Sequence, residues 1–202
     1  MSTTTKSASP AQPLSAAANT ILDAAERLAQ TRGYNGFSYA DIAAQLGVTK
    51  AALHYHFASK AALGSALIAR YHQAFGAALE EIDAHTRQPR RKLRQYVGLY
   101  DSVLSNDRMC LCGMLAAEYA TLPAPMQQGL KLFFDANENW LAGVLKDGAR
   151  AGVFHFKEPV KERAQLLLGA LEGAMLVARS YGDPRRFQSA AAAALADLGG
   201  RA

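Results

Sequence analysis

The twenty residues from Ser38 to Phe57, SYADIAAQLGVTKAALHYHF, leave the chain around them few folding options. Ser38 followed by Asp41 three positions later is a capping-box pattern, in which a hydroxyl and a carboxylate satisfy the free N–H groups of a helix start. Gly47 takes a left-handed cap at little cost, so the helix should stop there. Val48 turns the chain, and Thr49 can cap a second helix running to about Phe57, with Ser59 capping the next. Ile42, Ala43, Leu46, Val48 and Leu53 provide an apolar side that fixes the angle between the two short helices. This is the layout of a helix-turn-helix, whose second helix enters a major groove.

The remaining sequence repeats its apolar residues with helical period. Ile21, Leu22, Ala25, Leu28 and Ala29 mark one face of a helix that closes at Gly33. Longer helices follow from Leu63 to about Ile82, from the basic stretch RQPRRKLR (87–94) to Val103, and from Pro123 and Pro125 through Met126, Leu130, Phe133, Phe134, Leu141, Val144 and Leu145. Another runs from Arg163 to Tyr181. Asp183 and Pro184 then open a last, alanine-rich helix over Arg185–Leu198. No strand alternation or internal repeat interrupts this pattern. The expected fold is all-α: an N-terminal three-helix helix-turn-helix unit over 15–62, preceded by a disordered Ser/Thr/Ala/Pro-rich lead-in over 1–14, then a larger bundle over 63–202.

Half of the residues are hydrophobic, enough for a substantial core, yet no apolar run approaches the ~20 residues that span a bilayer. The first residues carry one lysine and no apolar stretch, so they do not read as a secretory signal, and a cytoplasmic location is expected. A net charge of +5 permits contact with nucleic acid without demanding it. Two cysteines two positions apart cannot staple distant segments, which fits reduced thiols. No cofactor or membrane partner is expected.

At the start of the second short helix, Thr49, Lys50, Ala51 and Ala52 are small or cationic and allow close approach to a duplex. His54, Tyr55, His56 and Lys60 can contact phosphate through ring N–H, hydroxyl and ammonium groups. A metal pair is a poor alternative, because positions 54 and 56 lie about 200° apart on a helix. Catalysis would need a nucleophile or acid that no nearby motif supplies.

The stretch ILDAAERLAQTRGYNGFSYADIAAQLGVTKAALHYHFASKAAL, residues 21 to 63, resembles the DNA-binding domain of the TetR/AcrR family of bacterial transcriptional regulators. The resemblance implies that Thr49, Lys50 and Ala52 face the groove, while Tyr55, His56 and Lys60 hold the DNA backbone, with Ser38 also among the DNA-binding candidates. The family's aromatic after Leu53 is His54 here, with Tyr55 one place later, and either can make the phosphate contact. It further implies a homodimer through the last two helices, where Gly169, Gly173, Ala174 and Ala178 allow close approach; a near-palindromic double-stranded operator; and release by an effector, most simply as a repressor. An intrachain core role for both helices is the alternative.

The segment MCLCGMLAAEYATLP (109–123) is similar to a Cys-Leu-x-Gly-x-Leu-Ala-x-Glu pattern in a subgroup responding to electrophiles such as N-ethylmaleimide. Cys110 stands at the matching cysteine, where a helix start and Arg108 should lower its pKa. Cys110 and Cys112 can equally be small core residues, or a metal pair short of further ligands. For a non-covalent effector, Met114, Phe133, Phe134, Trp140 and Met175 are candidate linings. Two other functions compete: an architectural DNA binder without effector, and a helical enzyme using Cys110 as nucleophile.

Overall fold

Hydroxyl side chains stand at the starts of the first four helices in the computed structural model, which describes residues 14–199. Ser15 accepts from Ala18 N at the start of α1 (Ala16–Arg32), and Gly33, at φ 80°, ends it. Ser38 and Asp41 form the full capping box of α2 (Tyr39–Leu46), and Gly47 closes it in the left-handed region. Thr49 caps α3 (Lys50–His56), which ends on extended Phe57. Ser59 caps α4 (Lys60–His85), a 26-residue helix that continues unbroken across the division expected at residue 62. The expected lead-in over 1–14 lies outside the described residues apart from Leu14.

The later helices are α5 (Pro89–Leu104), the short α6 (Leu111–Ala117), α7 (Ala124–Arg150), α8 (Val160–Ser180) and α9 (Arg185–Ala196). No strand occurs among the described residues. At α9 the expected cap shifts by one position. Pro184 occupies the cap, and Asp183 reaches past it to accept from Arg185 N at 3.2 Å. Residues 197–199 tighten into a 3-10 turn that buries Leu198, whose carbonyl accepts from His155 N at 2.7 Å.

Packing follows the apolar stripes. α1–α3 close around Leu22, Ile42, Leu53 and Phe57, all buried. α4 carries this unit into a bundle in which α7 and α8 pack on each other, α5 packs on α7, and α9 lies along α8. The bundle centre is aromatic: Tyr96, Tyr100 and Phe133 are fully buried. Val48 departs from expectation and remains 43% exposed. Its N–H bonds Ala43 O at 3.1 Å, which wraps the chain over the end of α2 and leaves the side chain at the outer edge of the turn.

In the last turn of α7 the Phe154 ring lies against the helix backbone at Gly148, and a Cβ at this position would collide with the ring. Alanine gains about 1 kcal/mol of helix propensity over glycine, but overpacking a buried site typically costs about 1–3 kcal/mol and displacing a phenylalanine costs more. Gly148→Ala should therefore destabilise the protein by roughly 1–3 kcal/mol net, read as a lower midpoint in urea unfolding.

Candidate functional site

Only Leu53 of α3 is buried; His56 is half-buried and the rest of the helix faces outward. The helix is pinned from behind by Tyr39, whose hydroxyl donates to Phe57 O at 2.8 Å. Burial pushes the Tyr39 phenol up to about 12, so it remains a donor at any physiological pH. Thr49, Lys50, Ala51 and Ala52 line the exposed first turn beside Val48. This outer surface is small and weakly basic, with no acidic residue on the helix.

The two candidate aromatics separate cleanly. The His54 ring leans on Tyr39 at 4.7 Å, and its Nδ1 lies 3.3 Å from Ala58 O, so it helps close α3 onto the next turn. Tyr55 is 86% exposed, in edge contact with His56 alone among rings. Ser38 is committed locally: its hydroxyl donates to Asp41 Oδ2 at 2.6 Å and accepts from Ala40 N.

Lys60 differs from its expected role as a free phosphate contact. Its ammonium donates to Tyr34 O at 2.5 Å and to Phe37 O, and it sits over both rings at 4.4 and 4.5 Å. Desolvation lowers its pKa. Two carbonyls of the α1–α2 loop are the stronger attraction, so the side chain ties α4 to that loop.

The same loop and the end of α1 are held from the bundle side by residues that no sequence motif singled out for this role. Glu118, at the end of α6, accepts from Tyr34 N at 2.5 Å and from Asn35 N at 3.3 Å. Asn35 Nδ2 donates to Thr121 Oγ1 at 2.8 Å. Arg179 of α8 donates to Gln30 O and Thr31 O at 3.0 and 2.5 Å, covering carbonyls that the end of α1 leaves free. Glu118 is the glutamate of the 110–118 pattern, so its position was visible although its partners were not.

In the bundle, Cys110 and Cys112 are both buried. The expectation of a lowered Cys110 pKa is reversed: burial pushes the thiol well up, and the nearby Glu172 carboxyl pushes further. α6 has only seven residues, and Arg108 turns away to bond Gln30 Oε1 at 3.3 Å. Tyr71 donates to Cys110 Sγ at 3.8 Å. Cys112 is raised in the same way and packs as core. Among the described residues no group of three or more His, Cys, Asp or Glu could hold a metal ion.

Glu172 of α8 escaped the sequence reading because its neighbours Leu171 and Gly173 made the segment look uniformly apolar. Its Oε1 is buried and has no hydrogen-bond partner of normal geometry. Burial pushes the carboxyl up to about 7, with the Cys110 thiol and Tyr100 hydroxyl near enough to pull back only in part. The expected linings are present as core: Phe133 and Met175 are fully buried, and Met114, Phe134 and Trp140 are half-buried. Trp140 stacks on Tyr96 at 5.4 Å and donates to Asp83 Oδ2 at 3.0 Å. Tyr96 bonds Tyr100 and Asn137 at 3.1 and 3.0 Å.

A sequence profile described as bacterial regulatory proteins, tetR family, matches residues 21–67. A TetR-family transcriptional regulator from Agrobacterium tumefaciens superposes with a TM-score of 0.88 at 31% identity, over 91% of this chain and 98% of that one. A TetR transcriptional regulator from Legionella pneumophila gives 0.83 at 30% identity, over 93% and 100%. The reduced form of NemR from E. coli gives 0.76 at 23% identity, over 88% and 95%, a likeness of fold alone. No curated protein matches the sequence.

Two outcomes follow from the buried cluster. Both thiols should react with a water-soluble disulfide reagent at least ~100-fold more slowly than free cysteine at neutral pH, recovering full rate on unfolding. Glu172 holds a proton in the fold that the unfolded chain loses near 4.5, so its contribution is present below that pH and is lost as pH rises through about 7. Glu172→Gln should therefore match wild-type stability near pH 4 and exceed it near pH 8 by up to ~3 kcal/mol, measured by urea unfolding at both values.

Proposed function

Because the chain belongs to the TetR family of bacterial regulatory proteins, we propose that it is a homodimeric repressor that leaves a near-palindromic operator when a small molecule enters its bundle. The outward face of α3 carries this reading: every residue but Leu53 and half-buried His56 is exposed, and the first turn presents Thr49, Lys50, Ala51 and Ala52. Lys50 and Thr49 are placed to reach base edges. Tyr55, with its ring open to solvent, is the better phosphate contact of the two aromatics, since His54 is occupied in closing α3.

α8 and α9 support the dimer. Leu166, Leu176 and Val177 of α8, and Tyr181 at its C-cap, are 57%, 44%, 51% and 66% exposed, an unusual density of large apolar side chains along one helix. Between α8 and α9 lies an open groove over Gly173, Ala174 and Ala190, where small residues let a second helix pair approach. A two-fold axis here repeats the patch on both copies and sets two α3 helices for successive major grooves, roughly 34–36 Å apart.

Glu118 joins the bundle directly to the segment between α1 and α2, and Arg179 joins it to the last turn of α1. An effector that shifts α6 or α8 changes these bonds, and DNA in turn opposes the effector by the same factor. A reversible ligand suits the interior better than a covalent one, since both thiols are buried and raised.

The test is fluorescence anisotropy of the full-length protein on labelled DNA from upstream of its own gene. Specific binding that fails to appear, or binding at a stoichiometry other than two chains per site, would sink the reading. Lys50→Ala should change base preference among operator variants. Tyr55→Phe should weaken all of them alike. Lys60→Ala should lower thermal stability while leaving the slope of affinity against salt nearly unchanged, because its ammonium is tied to carbonyls. Val177→Asp should sediment as a monomer and lose at least about tenfold in operator affinity.

A further inference from the structure

An ionised carboxylate is tolerated in a protein interior when a cation or several donors face it. Glu172 has neither. The titratable groups around it are the Tyr96 and Tyr100 hydroxyls of α5 and the Cys110 and Cys112 thiols at the start of α6, and none of these is a cation. Tyr71 of α4 interacts with the thiols. The other carboxylate oxygen, Oε2, rests against α6 at Gly113, where a Cβ would collide with it. The bundle thus makes room for a carboxyl at its centre and supplies no counter-charge.

Aromatic rings adjoin this spot. Tyr96 is in edge contact with Phe75 and stacked on Trp140, and Phe75 also contacts Tyr100. Negative ring faces beside a carboxylate favour a positive charge of low hydration. A metal ion does not fit, for want of a third ligand among the described residues.

We propose that Glu172 is the anionic anchor of the effector site, and that the effector is a monovalent organic cation, an amine or amidine carrying an apolar or aromatic body. The proposal rests on the ligand-responsive reading above. The charged group pairs with the carboxylate in a medium of low dielectric, and the body replaces contacts among the rings. As the cation enters, the carboxyl proton leaves to solvent, so binding strengthens with pH until Glu172 is ionised in the free protein.

The probes are 4-phenylbutylamine, 4-phenylbutanol and 4-phenylbutyrate, which share one body and differ in charge. Each is titrated into the full-length protein, followed by Trp140 fluorescence and by calorimetry. The amine should bind at least about tenfold more tightly than the alcohol, and the butyrate most weakly. Amine affinity should be roughly 30-fold weaker at pH 5.5 than at pH 8, while alcohol affinity stays constant. Glu172→Gln should erase both the charge preference and the pH dependence while keeping the wild-type circular dichroism. Equal binding of amine and alcohol to the wild type, or an unchanged amine preference in Glu172→Gln, would overturn the proposal. Should that variant fail to fold, the three probes on the wild type decide alone.

Anisotropy with operator DNA separates this proposal from the reading beneath it. Charge-selective binding with no loss of DNA affinity keeps the cation site and ends the ligand-release reading. Release by neutral compounds without any amine preference keeps ligand release and ends the cation site.

Discussion

The connection between the two halves of the molecule depends on what happens at four backbone groups, the carbonyls of Gln30 and Thr31 and the N–H groups of Tyr34 and Asn35. They lie at the end of α1 and in the turn after it, where a helix leaves carbonyls without partners and a loop leaves amides unpaired. Arg179 covers the first two and Glu118 the second two. Both are charge-assisted bonds, worth about 1.5–3 kcal/mol each when well shielded. Because one donor comes from α8 and one acceptor from the end of α6, the turn that aims α2 and α3 is held by the bundle. Lys60 adds a third hold from α4, on Tyr34 O and Phe37 O. The orientation of the helix-turn-helix relative to the bundle is thus held in part by helices far from it in sequence.

The interior has the opposite character. A bundle of this size could be filled with apolar side chains, yet this one holds a carboxyl, two thiols and three tyrosines together near its centre. Desolvation dominates every one of these groups and favours the neutral form of each. The helix-start effect on Cys110 is worth a fraction of a kcal/mol at an exposed site, far too little to offset full burial beside another acid. A cysteine at a helix start becomes a reactive thiolate only where water or a cation can support the charge, and neither condition is met here.

The sequence made the caps, the helical order and the helix-turn-helix legible because these depend on neighbours within four residues. Ser38, Asp41, Gly47, Thr49 and Ser59 act where their positions say they should. The exposure of Val48, the partners of Lys60 and the raised pKa of Cys110 depart from expectation for a common reason, since each depends on contacts that local spacing does not encode. Lys60 meets carbonyls 23 and 26 residues away, Val48 is turned outward by the cap before it, and Cys110 meets Glu172 across the bundle. Glu172 itself was hidden in an apolar run, where one acid reads as a surface position. The Cys-Leu-x-Gly-x-Leu-Ala-x-Glu pattern is better understood as three contacts than as a sensor thiol. Cys110 packs inward, Gly113 admits the Glu172 carboxyl, and Glu118 reaches the α1–α2 turn.

Those contacts place α6 between the buried carboxyl and the turn that aims α3. At seven residues it is too short to be stable alone, since isolated helices below about 12–15 residues are marginal in water. Its position is set by the packing of Leu111, Cys112 and Leu115 in the core, together with Glu172 at Gly113 and the hold of Glu118 on Tyr34 and Asn35. Allosteric coupling in proteins usually amounts to about 1–3 kcal/mol, the size of a single charge-assisted hydrogen bond. Lengthening the 2.5 Å bond from Tyr34 N to Glu118 by an ångström is enough to supply that energy, because it takes the pair outside hydrogen-bonding distance. A shift of α6 by about an ångström therefore suffices to loosen the turn that aims α3, without a large domain motion.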